Sequence, residues 1–187
     1  MIKVVDNYLP KEVFDKLEYH TISSYFQIVD GGNKFFSALE TPVYMYEYLQ
    51  QDGYDIVFSF IRSAYKGFDD ELRVHADNII NGHRVAIASV LYINDAKGVT
   101  KNGTAFYTHK HYGHELPSDC SEEEYNEIIL LDANEKSMWT KTDYISSKQN
   151  RLLVYDANYF HSKYPNKITK GVRKVLVTFY IKSKSNE

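Results

Sequence analysis

Along the first 68 residues apolar positions recur at helical spacing, and beyond them the period drops toward two. Leu9-Pro10-Lys11-Glu12, after Asn7, reads as a helix start with proline in the first turn, and Val13, Leu17 and Tyr19 continue its apolar stripe. Gly31-Gly32-Asn33 marks a turn. Two more helices are predicted, one over residues 42–51 and one over residues 54–65, where Ile56, Phe60 and Ile61 are spaced for one face.

Period-two runs follow at residues 72–78, 84–93, 104–109, 151–155 and 173–181, and these are predicted strands. Their spacing is irregular, and no long helical pattern separates them as a parallel βαβ sheet requires. The expected class is mainly β with N-terminal helices, the strands forming an antiparallel sandwich or barrel. The polar stretch 113–136, with Pro117, Asp119 and Glu122-Glu123-Glu124, reads as a long loop containing one helical turn.

A length of 187 residues suits one domain, expected to span 1–187 with a helical flank at 1–68 and a β core at 69–182. Lys and Arg total 22 against 25 Asp and Glu, and the net charge of -3 offers no field for phosphate backbones or anionic lipid. Neither nucleic acid nor a membrane is an expected partner. Cys120 is the only cysteine, which excludes an internal disulfide and a zinc finger. The opening residues lack the apolar stretch of a secretory signal, and no run reaches the ~18 apolar residues of a membrane span, so a cytoplasmic location is expected. The chain has 17 Tyr and 10 Phe, enough to line a pocket as well as to fill a core.

Candidate chemistry starts at Arg73-Val74-His75-Ala76-Asp77, where strand alternation sends His75 and Asp77 the same way. An imidazole nitrogen and a carboxylate oxygen so placed are able to share a metal ion; they equally make an ordinary surface pair. The strand 151–155 then leads to His161, and Arg173 shares an otherwise apolar face with Val175, Val177 and Phe179. A guanidinium there needs an anion, either a structural carboxylate or a dicarboxylate ligand held by its fork. Two histidines and one carboxylate with open positions form the facial triad of non-haem Fe(II) oxygenases.

In this order, H-x-D, distal His, then Arg before an apolar strand, the chain resembles the 2-oxoglutarate- and Fe(II)-dependent oxygenases, specifically their prolyl 4-hydroxylase-like branch. The likeness covers roughly residues 68–182. It includes His75-Ala76-Asp77-Asn78, Asn81-Gly82, the strand ending Leu91-Tyr92-Ile93-Asn94, Gly103-Thr104-Ala105-Phe106, and Arg151-Leu152-Leu153 ahead of His161. The resemblance implies a double-stranded β-helix, or jelly roll, with His75, Asp77 and His161 as iron ligands. It also implies Arg173 as clamp for the co-substrate carboxylate and Tyr92 as a hydroxyl that helps hold it. The implied activity uses Fe(II), 2-oxoglutarate and O2 to hydroxylate a C–H bond of a small-molecule or peptide substrate. Where many prolyl hydroxylases carry Tyr three residues before the first His, this chain has Leu72, which points away from a prolyl substrate. The alternative is a jelly-roll module that binds a ligand without turnover.

The run His109, His111, His114 lacks an acid or cysteine at ligand spacing and reads as a polar rim rather than a second metal cluster. His20 and His83 read as ordinary solvent positions, and nothing around Cys120 lowers its pKa. Because long loops in compact domains are usually functional or disordered, the stretch 113–136 is expected to act as a lid, with Tyr112, His114 and Tyr125 as candidate substrate contacts.

Overall fold

The computed structural model describes residues 1–30, 35–69, 72–94, 102–165 and 168–184. The turn expected at Gly31-Gly32-Asn33 lies outside them. Strand β1 (Ile2–Val5) and helix α1 (Lys11–Ser23) precede β2 (Gln27–Asp30), β3 (Phe35–Glu40) and β4 (Tyr54–Tyr65). A short hairpin, β5 (Ile79–Ile80) and β6 (His83–Arg84), leads into β7 (Ile87–Tyr92) and β8 (Gly103–His109). After helix α2 (Glu122–Asp132) come β9 (Trp139–Ser146), β10 (Arg151–Asp156), β11 (His161–Tyr164) and β12 (Val172–Lys182).

Seven strands pair antiparallel in the order β1-β10-β7-β12-β4-β3-β2, and three more in the order β11-β8-β9. Successive residues of a strand point to opposite faces, so each strand serves two cores. On β10, Leu152 and Val154 meet Phe14 and Leu17 of α1, whereas Leu153 and Tyr155 turn toward Val90, Val175, Phe179 and Phe106. On β8, Phe106 joins that inter-sheet layer while Ala105 and Tyr107 face Leu116, Ile128 and Trp139 beside α2. The layers therefore run α1, large sheet, small sheet, α2, with each fully buried Leu or Phe contributing about 1.5–3 kcal/mol. On the central strand β12, Arg173 points into the inter-sheet layer, and its neighbour Lys174 reaches the α1 side, donating to the Thr21 carbonyl at 2.8 Å. Among the described residues no helix is long and apolar enough to cross a membrane.

The mainly β architecture agrees with the alternating runs, but the N-terminal third is not a helical flank. Only α1 is a helix there; residues 42–51 contain a single 3-10 turn at Val43–Met45, and Tyr54–Tyr65 is a twelve-residue strand. The misreading of β4 has a physical cause. Ile61 packs toward α1 and Phe60 toward the inter-sheet layer, so apolar residues stand on both faces, and with Asp55, Ser59 and Ser63 on one face and Arg62 on the other the period-two polarity that marks a strand is blurred. Its β-branched and aromatic content was the better signal. Helix α1 buries Phe14, Leu17 and Thr21 and leaves Tyr19 exposed, a stripe rotated from the expected one.

Two further expectations change. Residues 72–78 form no ladder; Arg73 has a φ of 39°, and the segment is tied to β11 by a lone bridge between His75 and His161. The stretch 113–136 holds three turns of helix rather than one. Ser121 and Glu124 make a capping box, the Ser121 hydroxyl accepting from the Glu124 N–H and the Glu124 carboxylate from the Ser121 N–H. Glu122, Glu123 and Glu124 in the first turn oppose the positive end of the helix dipole.

Gly103 is where the small sheet closes most tightly. A Cβ there meets the Ile145 carbonyl oxygen at 2.1 Å and the Ser146 Cα at 3.0 Å, both backbone atoms of β9. Gly103→Ala is expected to destabilise the protein by at least the ~1–3 kcal/mol of an overpacked core. Urea unfolding checks this; an unchanged midpoint would show that β9 moves aside freely.

Candidate metal and co-substrate site

The bridge between residues 75 and 161 is the origin of the site. His75 N–H donates to the His161 carbonyl at 3.0 Å and His161 N–H to the His75 carbonyl at 2.8 Å, setting the two residues directly opposite each other. Their rings stand 4.5 Å apart between centroids. Two residues on, Asp77 N–H is anchored on the Ala157 carbonyl at 2.8 Å. The three expected ligands thus converge: one donor atom from each of His75, Asp77 and His161 lies within 4.8 Å of the others. His161 Nε2 is 3.3 Å from Asp77 Oδ2, and His75 Nε2 is 3.7 Å from Asp77 Oδ1.

The tautomers follow from the backbone. His75 Nδ1 lies 3.0 Å from the Arg73 carbonyl and His161 Nδ1 lies 2.9 Å from the Tyr159 carbonyl. A carbonyl only accepts, so both Nδ1 atoms carry a hydrogen, and each Nε2 is the ring atom left facing Asp77. Burial, then the neighbouring His161, holds the His75 pKa well below its ordinary 6.5, which keeps that ring neutral and available as a ligand. Two imidazoles, each oriented by a carbonyl, and a carboxylate suit a divalent transition-metal ion.

The triad opens on a cavity of about 1160 Å³ that extends along β12, β4 and β3 to the end of α1. Arg173, Val175, Val177 and Phe179 line it together, as their alternation predicted. Arg173 is 5 % exposed. Its Nε donates to Asn102 Oδ1 at 3.0 Å and an Nη to the Gly103 carbonyl at 3.5 Å, both neutral acceptors. Among the described residues no carboxylate lies within ion-pair distance of it, and burial pushes its pKa down. Tyr92 sits behind the cavity wall: the Arg173 guanidinium is 5.9 Å from its ring centroid, and its hydroxyl is 2.7 Å from Thr104 Oγ1. Thr104, not Tyr92, lines the cavity.

Tyr155 was not foreseen. Its hydroxyl lies 2.9 Å from Asp77 Oδ2 and 3.0 Å from His161 Nε2, and burial with the Asp77 charge raises its pKa well above the ordinary value. The alternation of β10, which turns Leu153 and Tyr155 inward, was the available signal. His20 also differs from its reading: its ring lines the outer cavity, and Nε2 is buried without a hydrogen-bond partner.

None of the three lid candidates lines this cavity. Tyr112 stacks on His109 at 5.0 Å, and His114 lies edge-on to Tyr159 at 5.7 Å beside a separate cavity of about 410 Å³. The Tyr125 hydroxyl donates to the Ala76 carbonyl, and Ile128 of α2 joins Leu116 and Cys120 in the cluster behind the segment that carries His75 and Asp77. The stretch 113–136 supports the site from the rear.

His109 is a structural residue. Its Nδ1 accepts from the backbone N–H groups of His111 and Tyr112, and Nε2 donates to Asp132 at 3.2 Å. Burial lowers its pKa from 6.5 against the opposing pull of Asp132. Since the unfolded chain takes up the proton more readily, the stability tied to neutral His109 is complete above 6.5 and is lost as the pH falls below it. Between about pH 7 and 5, the wild-type melting temperature should fall more steeply than that of His109→Gln. Parallel slopes would contradict the assignment.

DUF6445, described as a family of unknown function, matches residues 33–169. No curated protein matches the chain. HygX from Streptomyces hygroscopicus, solved with nickel, 2-oxoglutarate and hygromycin B, superposes with a TM-score of 0.61 at 11 % identity, over 97 % of this chain and 83 % of that one. A Pseudomonas putida prolyl-4-hydroxylase gives 0.55 at 10 % identity, over 97 % and 92 %. A 2OG-Fe(II) oxygenase family oxidoreductase from Burkholderia pseudomallei gives 0.59 at 9 % identity, over 96 % and 84 %. At such identities the likeness is one of fold, and the fold is that of 2-oxoglutarate- and Fe(II)-dependent oxygenases.

Proposed function

The chain belongs to DUF6445, a family of unknown function, and we propose that its activity is Fe(II)- and 2-oxoglutarate-dependent hydroxylation of a C–H bond. The substrate is a small molecule or a peptide. The observation that carries this reading is the presence, in one cavity, of three convergent metal donors and a buried guanidinium that no carboxylate of the described residues answers. Included in the reading are a double-stranded β-helix built of the two sheets and the residue order of the prolyl 4-hydroxylase-like branch, to which the Pseudomonas putida fold lends support.

Fe(II), held by His75, Asp77 and His161, supplies the activation of O2 and the oxidative decarboxylation of 2-oxoglutarate to succinate and CO2. The chain arranges the rest. Arg173 forks the distal carboxylate of 2-oxoglutarate, and its two neutral acceptors hold the guanidinium in place without competing charge. Thr104, steadied by the Tyr92 hydroxyl, offers a further polar contact on the same wall. Val175, Val177 and Phe179 keep that wall dry, which strengthens the ion pair and shields the reacting centre from water. The outer cavity, with Phe36, Phe58 and Phe60 along β3 and β4, is left for the substrate.

Anaerobic titration with Fe(II), followed by admission of O2 and measurement of succinate from 2-oxoglutarate, tests the proposal. Succinate release that requires both iron and O2 is expected. Iron and 2-oxoglutarate binding with no succinate under any substrate mixture would identify a binding module instead.

A further inference from the structure

The outer cavity carries one pattern twice. In its first occurrence a carboxylate, an aromatic ring and a cation stand together: Arg62 Nε donates to Asp69 Oδ2 at 2.7 Å, and the guanidinium carbon lies 5.4 Å from the Phe36 ring centroid. The carboxylate answers the charge while the ring face takes a side of the cation that water has left. In the second occurrence the carboxylate and the rings are present, and the described residues supply no cation.

Glu40 of β3 pairs with Phe60 of β4 in an unbroken antiparallel register, so their side chains leave the same face of the sheet with Cβ atoms about 4.5–5.5 Å apart. Phe58 is the diagonal neighbour, its ring 5.4 Å from that of Phe60. All three line the cavity that holds the metal donors. Packing does not use them up: the large sheet is seven strands wide against three in the small one, and Phe58 is 40 % exposed. Among the described residues the Glu40 side chain has no ion-pair or hydrogen-bond partner. The other cavity cations stand elsewhere, Arg173 on β12, and Arg73 and Lys163 on the segments that carry His75 and His161.

We propose that Glu40, Phe58 and Phe60 seat an ammonium or guanidinium group of the substrate, the carboxylate answering its charge and the rings holding its apolar stem. The proposal rests on the reading of this cavity as a substrate site and names the group that the substrate presents there. In the large sheet β3 stands four strands from β10, whose Tyr155 touches the triad, a span of about 19 Å along the sheet at ~4.8 Å per strand. The cation is therefore a remote binding group, and the carbon oxidised lies at the other end of an extended molecule.

Calorimetric titration of the full chain under nitrogen, with and without Fe(II) and 2-oxoglutarate, tests this with two matched pairs of probes. One pair is phenylbutylammonium and the uncharged phenylbutanol. The other is a blocked glycine peptide with lysine at its centre and the same peptide with norleucine there. In one pair the charged member is expected to bind roughly 10-fold tighter, and the pair that responds tells a free amine from a basic residue of a peptide. Glu40→Gln, which keeps the shape and removes the charge, should abolish the preference. Phe58→Leu, which keeps an apolar side chain and removes the ring face, should reduce it. Equal affinities within both pairs, no binding of any probe, or a preference that survives Glu40→Gln overturns the proposal. Succinate release measured alongside keeps the two readings apart. Charge preference without iron-dependent succinate would keep the cation seat and remove the oxygenase, whereas succinate without charge preference would remove the seat alone.

Discussion

His161→Ala, Asp77→Ala and His75→Ala are each expected to lose more than ~100-fold in Fe(II) affinity while remaining folded, since altering even an outer partner of a metal ligand typically costs 10–100-fold. The fold should survive because the site is arranged by main-chain bonds. The two histidines are held opposite each other by their own peptide groups, and Asp77 by its N–H, none of which a side-chain truncation removes. Calorimetric titration under nitrogen, with melting curves alongside, gives both quantities. Wild-type affinity in His161→Ala would mean that the ion is held elsewhere.

Arg173→Leu should raise the KM for 2-oxoglutarate by roughly 30- to 5,000-fold, corresponding to the ~2–5 kcal/mol of a buried charge pair deprived of one partner. Fe(II) affinity should be nearly unchanged. A second readout separates a ligand clamp from a structural cation. Replacing a buried charge that has only neutral partners by an apolar side chain removes a desolvation cost, so the melting temperature without co-substrate should hold or rise. If KM stayed constant, the clamp would have to be another cavity cation: Arg62, Arg73 or Lys163. Lys174 and Arg84 are less suited, the first directed toward Thr21 and the second bonded to the Ser118 carbonyl at 2.9 Å.

The site was more legible in the sequence than the frame that carries it. His75, Asp77 and Arg173 could be read because each depends on a local rule, same-face alternation or a charge on an apolar strand, that survives any error about distant pairing, whereas His161 rested on the residue order of the resemblance. The alternation holds for His75 and Asp77 even though their segment is no ladder strand, since one bridge and one anchored N–H keep it extended. The N-terminal third was misread for the opposite reason. In β4, apolar and polar residues fall on both faces, so a strand of twelve residues lacks clean alternation and Ile56, Phe60 and Ile61 match helical spacing as well. Helix α2 carried a legible signature, Ser121 followed three residues on by Glu124 and then Ile128 and Ile129, but the run of glutamates obscured it. Tyr155 was missed because a phenol within an apolar strand looks like core filling until the fold brings Asp77 and His161 against it.

The opposed cations of β12 bear on folding as well as on ligand binding. The strand lies between β4 and β7, and a slip of one residue against them would exchange the faces of every side chain. Arg173 would then be driven among the leucines under α1, and Lys174 into the space between the sheets. A slip takes the guanidinium from Asn102 and Gly103 and the ammonium from Thr21, leaving each charge without the acceptors it has in this register, whereas a slip of purely aliphatic residues would cost little more than imperfect packing. Two adjacent positive charges directed to opposite layers thus act as a register key for the central strand, so the residue that awaits a carboxylate also helps exclude the misthreaded sheet.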